Sequence, residues 1–174
     1  LTARSRVEID AFLEDVALFE RDLPYDSKQI EEKFNAMINS FVERNIGQRP
    51  VYMTIEVEQH LAPAYQRVPE GLAFHLYPLG QAIPHDRVPW DAFRIRPFDR
   101  RERLCDALFV MYPMMLTNRG VWLHQQARYQ DAAAYFDRAI TVDPTYRPAM
   151  QWKERNAEAM MVSEGVSPSS RENG

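Results

Sequence analysis

Apolar residues recur at helical spacing at both ends of the chain and alternate in its middle, and that change of period sets the expected architecture. From about Arg4 to Phe19, the residues Val7, Phe12, Leu13, Val16 and Phe19 fall near a 3.6-residue repeat with acidic residues between them, which predicts an amphipathic helix. Leu23-Pro24-Tyr25 breaks it. Asp26 or Ser27 then offers a side-chain oxygen to cap a second helix with the stripe Ile30, Phe34, Met37, Ile38, Phe41 and Val42. Gly47 is expected to end that helix in a left-handed C-cap.

The period then drops to two. Val51 to Val57 is β-branched and aromatic, with Val51, Met53, Ile55 and Val57 on the core face and Tyr52, Thr54, Glu56 and Glu58 on the other. Leu72 to Tyr77 reads as a second strand, introduced by Pro69-Glu70-Gly71 and stopped by Pro78. Gln59 to Gln66 reads as a short helix limited by Pro63. The strands are parallel if that segment is a crossover and antiparallel if it is not. Leu79 to Asp99, with Gly80, Pro84, Pro89 and Pro97, reads as a long connection with one candidate strand at Ala92 to Ile95. Leu104, Ala107, Leu108 and Met111 reopen the helical period, which holds to about Val162.

The fold class expected is therefore mixed α/β and helix-rich. A small α/β unit spans residues 1–98 with a sheet of two or three strands, and a helical unit spans 99–162. The last segment, 163–174, carries Gly165, Ser167, Pro168, Ser169 and Ser170 and reads as a disordered tail.

Within the helical unit, Leu116, Gly120 and Leu123 are followed by Tyr129, Ala132, Phe136 and Ala139, and then by Asp143-Pro144. A small residue on one helix, an aromatic on the next and a closing proline permit a close helix crossing. Met114 to Thr145 thus resembles one tetratricopeptide repeat, a helical hairpin of about 34 residues. Arg119 stands where that pattern has leucine, and Ala127 where its turn commonly has glycine. About three repeats are needed to bury each other's faces, so neighbours must cover a single one. Arg147 to Met161, with Glu154 at the position equivalent to Gly120, reads as a capping helix.

The resemblance implies a groove for an extended peptide or partner helix on the first helix, at Met114, Thr117, Asn118, Val121, His124 and Gln125. No lysine or arginine lies in that set, so a basic carboxylate clamp is not expected. More broadly, Arg49-Pro50-Val51-Tyr52 after an amphipathic helix, Glu70 to Leu76, and the terminal helical repeat resemble the soluble C-terminal region of a bacterial family of membrane glycosyltransferase-like proteins, similar to transmembrane protein O-mannosyltransferases. That resemblance implies a non-catalytic accessory domain on the periplasmic or extracytoplasmic face. The catalytic residues would belong to a membrane portion preceding Leu1. Without it, a cytoplasmic location is expected. A first residue other than Met fits a piece of a longer protein.

Charge and chemistry narrow the picture. The net charge of −4, and a basic cluster at Arg94, Arg96, Arg100, Arg101 and Arg103 interrupted by Asp99 and Glu102, argue against nucleic acid. One cysteine, Cys105, excludes an intramolecular disulfide and reads as a small buried hydrophobe. No apolar run approaches the roughly 20 residues that span a bilayer, so the chain reads as soluble. Glu56, Glu58 and His60 share one strand face and make the alternative reading, a small α/β enzyme or metal-binding domain; a solvated polar face explains the same pattern. His75, His85 and His124 are scattered, and the chain has neither a glycine-rich phosphate loop nor a nucleophile elbow. No cofactor is expected. A protein or peptide partner is.

Overall fold

The computed structural model describes residues 3–54, 61–83, 103–163 and 165. The chain divides into two compact units, one of Leu1–Arg67 with His75–Ala82 and one of Val68–Phe74 with Ile83–Gly174. The fold is helix-rich mixed α/β, with a small antiparallel sheet.

In the first unit α1 (Ala3–Glu20) and α2 (Ser27–Asn45) form a helical pair. Asp26 caps α2, its Oδ1 accepting from the backbone N–H of Lys28 at 2.9 Å and of Gln29 at 3.4 Å, which satisfies donors a helix start leaves over. The C-terminal end differs from expectation. Ile46 caps α2 in a right-handed conformation, and Gly47 has no positive φ. Asn45 closes the helix instead: its backbone carbonyl accepts from the N–H groups of Gln48 and Arg49, and its side-chain amide donates to the Phe41 carbonyl at 2.6 Å. A polar side chain that satisfies the last carbonyls removes the need for a left-handed glycine.

The pair meets along a mixed seam. Phe12 and Phe34 pack with ring centroids 5.6 Å apart. Beside them Lys33 pairs with Asp15 at 2.7 Å, and Glu8 accepts from the Ser40 hydroxyl and from the Arg44 guanidinium, the latter at 2.9 Å to both carboxylate oxygens. Much apolar surface stays outside: Val7 is 66% and Phe19 58% exposed.

The sheet has the order β1-β3-β2, with β1 at Tyr52–Met53, β2 at Tyr65–Glu70 and β3 at Ala73–Pro78. β3 falls within a residue of where Pro69-Glu70-Gly71 and Pro78 placed a strand, with Pro78 as its last residue rather than its stop. The short helix expected up to Gln66 is not present in its described part: residues 61–64 turn, and Tyr65 opens a strand. A two-residue turn joins β2 to β3 with Gly71 at φ +65, a conformation a glycine adopts without Cβ strain and a hairpin's twist favours. The strands are therefore antiparallel, and no crossover is needed. Met53 is buried while Tyr52 and Thr54 are exposed, in keeping with the alternation over the part of that strand that is described. Val42, Met53, Leu61, Ala62 and Leu76 form the core of this unit, flanked by Ile38, Ile46, Val51 and Tyr65. The candidate strand at 92–95, Arg94, Arg96, Arg100 and Arg101 of the basic cluster, and residues 166–174 of the expected tail lie outside the described residues, as do the side chains of Arg103 and Cys105, while Ser163, where the tail was expected to begin, is the last residue of α5.

In the second unit α3 (Arg103–Gln125), α4 (Tyr129–Val142) and α5 (Arg147–Ser163) pack on one another. The residues from Arg101 to Tyr112 read from sequence as a helix of their own before Pro113, but α3 runs through the proline, which is buried and whose carbonyl accepts from the Thr117 hydroxyl at 2.7 Å. Met115, Leu116, Leu123, Ala132, Phe136, Ala139 and Ala149 are almost wholly buried and make a continuous apolar core. Among the described residues no helix is long and apolar enough to cross a membrane.

Candidate functional site

The helical hairpin of α3 and α4 is built around one close approach. A Cβ added to Gly120 would lie 2.5 Å from a ring carbon of Phe136, so the ring occupies the space a larger residue would need. The sequence placed Gly120 at the helix crossing; the structure names Phe136 as the side chain pressed against it. After α3 the chain turns through Ala127 at φ +57, a left-handed conformation held by an alanine where a glycine would sit without strain.

Polar side chains then fix α5. Asn156, 1% exposed, donates from Nδ2 to the Tyr129 carbonyl at 2.8 Å, so its Oδ1 faces His124 Nδ1 at 2.9 Å. That arrangement makes Nδ1 the protonated nitrogen of His124. The imidazole also meets Tyr129 and Trp152 edge-on, with centroids 5.3 and 5.5 Å away. Three helices are thus joined through one buried amide and one ring.

Arg119 is the residue whose importance the sequence did not disclose. It is 2% exposed, lies 4.4 Å over the Trp122 ring and donates to the Tyr135 hydroxyl. Burial pulls its pKa below the ordinary arginine range, while Tyr135 and the more distant Glu70 charge oppose that shift. A hollow of about 160 Å³ beside it is lined by Leu123, Arg128, Asp131 and Tyr135, with Arg128 Nε bound to Asp131 at 2.7 Å. The sequence marks Arg119 only as a departure from the leucine of the repeat pattern; its burial comes from the packing of α4 on α3. Tyr146, between α4 and α5, holds its proton above the usual tyrosine range because it is partly buried and close to Asp143.

The residues expected to line a groove on α3 do not share one environment. Thr117 is buried and bound to its own helix, and His124 is engaged with Asn156 and the rings of α4 and α5. Met114, Asn118 and Val121 are half-buried and Gln125 is exposed. Asn118 reaches back to Met115 on the same helix. Five of the six thus keep some exposure along α3, although His124 is also engaged by α4 and α5, and Thr117 alone is buried. Glu56, Glu58 and His60 lie outside the described residues; among the described residues no three His, Cys, Asp or Glu side chains come together as a metal would require. Compared with protein-family models, with curated proteins and with solved structures, the chain finds no match.

Proposed function

We propose that this chain is a non-catalytic interaction domain whose helical unit works as a single tetratricopeptide-like hairpin, capped by α5 and presenting α3 to a protein or peptide partner. What supports the reading is the division of labour on α3. The side of α3 carrying Leu116, Gly120 and Leu123 is spent on packing, while Met114, Asn118, Val121 and Gln125 keep solvent access on a helix held by a buried core. A surface fixed in advance loses little conformational entropy on binding. The wider reading, an extracytoplasmic accessory region of a membrane glycosyltransferase-like protein, rests on the sequence resemblance and is checked by counting apolar spans of about 20 residues in the reading frame upstream of Leu1.

A photo-crosslinking amino acid placed at Val121 tests the docking face in cells, with the same group at Lys153 on α5 as control. The reading expects a discrete adduct from position 121 alone, lost when Asn118→Arg is added. Identical adducts from both positions, or an adduct indifferent to Asn118→Arg, would contradict it.

A further inference from the structure

The first unit holds a cleft of about 530 Å³, inside the range of about 300–1,000 Å³ typical of ligand sites, and every described residue lining it belongs to that unit. Its walls come from the C-terminal half of α2 and from the strand that follows. Phe41 and Val42 supply one apolar side; Val51 and Met53 supply the other. The floor is part of the unit's core, since Val42 and Met53 are both buried. Polar groups gather at the α2 end, where Asn45 and Arg49 stand together.

Arg49 is the one charged side chain among the described lining residues, and it is held in place rather than loose. Its Nε donates to Asn45 Oδ1 at 2.7 Å, and Asn45 is in turn tied through Nδ2 to the Phe41 carbonyl. The bond takes the Nε–H and leaves the two terminal amino groups uncommitted among the described residues. Those are groups that grip a carboxylate, and a guanidinium already oriented by a neighbour loses less freedom when it does so. The opposite wall is β1, an edge strand of the described sheet, alongside which an extended main chain can run.

We infer that this cleft binds the C-terminal end of an extended peptide, with the last apolar side chain seated against Phe41, Val42, Val51 and Met53 and the terminal carboxylate held by Arg49. Charge complementarity selects the carboxylate. The strand edge selects a peptide over other apolar acids, because a peptide brings its own amides to lie beside it. Asn45 acts as the positioning residue. The site lies on the other unit from α3, so it stands or fails apart from the docking face proposed above.

The test uses the full chain and two pools of fluorescein-labelled heptapeptides ending in Leu, Ile, Val or Phe, one pool with free carboxylates and one amidated. Anisotropy titration is expected to show the acid pool binding about ten-fold or more tightly than the amides, the scale of one charge-assisted hydrogen bond. Arg49→Gln, at an exposed position that leaves folding intact by circular dichroism, should bring the acids down to the level of the amides. Asn45→Ala should reduce the preference without abolishing it. Equal binding of the two pools, no binding by either, or an acid preference that survives Arg49→Gln would overturn the inference. Decanoate serves as competitor, and tighter binding of decanoate than of the peptides would assign the cleft to a fatty acid and overturn it equally.

Discussion

The two helical packings of this chain are held by different forces. Between α1 and α2, one aromatic pair is flanked by charged side chains, with Glu8 meeting Ser40 and Arg44 and Asp15 meeting Lys33, while Val7 and Phe19 stay largely in water. Between α3, α4 and α5, the contact surface is apolar, and of its buried polar members Asn156 is hydrogen-bonded to the Tyr129 carbonyl, Thr117 to the Pro113 carbonyl, and Arg119 lies over the Trp122 ring. Half-exposed ion pairs contribute little and weaken with salt, whereas close-packed apolar contacts depend on shape. The lesson is that the helical unit has the rigid geometry a docking face needs, and the first pair does not share it.

The sharpest way to break the comparison is Gly120→Ala. On propensity alone, alanine should stabilise a helix interior by about 0.5–1 kcal/mol over glycine. Here its methyl group would meet the Phe136 ring at 2.5 Å, and the ring is fully buried with nowhere to retreat. The clash wins, and a net loss of about 1–3 kcal/mol is expected in urea denaturation. Combining it with Phe136→Leu should give less loss than the two single changes summed, because each relieves the other. A stabilised Gly120→Ala protein would show the crossing to be looser than described.

The first seam answers to a milder change. Glu8→Gln weakens the ion pair with Arg44 and should cost about 1 kcal/mol or less at low ionic strength, with most of that difference gone at high salt. Denaturation at two salt concentrations measures it. A salt-independent loss would mean that Glu8 acts through packing.

The smallest effect runs the other way. Ala127 holds φ +57 between α3 and α4, so Ala127→Gly should relieve left-handed strain by about 1 kcal/mol. Part of that is given back through the greater freedom of glycine in the unfolded chain. A small gain in melting temperature is expected, and a clear loss would place the strain elsewhere.

What the sequence disclosed follows the same division. The cap at Asp26, the turn residues that introduce β3 and the small-residue crossing at Gly120 were legible because each depends on local sequence. β2 was not, since it closely follows Pro63 and contains Pro69, and its strand character comes from pairing with β3. The continuity of α3 through Pro113 was hidden for a related reason: packing around a buried proline outweighs its local tendency to break a helix. Arg119 was legible as a departure but not as a buried one, because Trp122 lies one turn along the same helix but Tyr135 is brought beside it only by the packing of α4. On α3 the spacing gave the helical stretch after Pro113 but neither the burial of Thr117 nor the engagement of His124, which depends on where α4 and α5 lie.

Native-state hydrogen exchange tests this account most directly. The amides of residues 115–123 and 132–139 are expected to exchange slowest and together, through one cooperative opening insensitive to salt, while those of α1 and α2 exchange faster and respond to ionic strength. Equal protection in both regions, or salt-sensitive opening of α3 and α4, would contradict the claim that a close-packed helical unit supplies the rigid face.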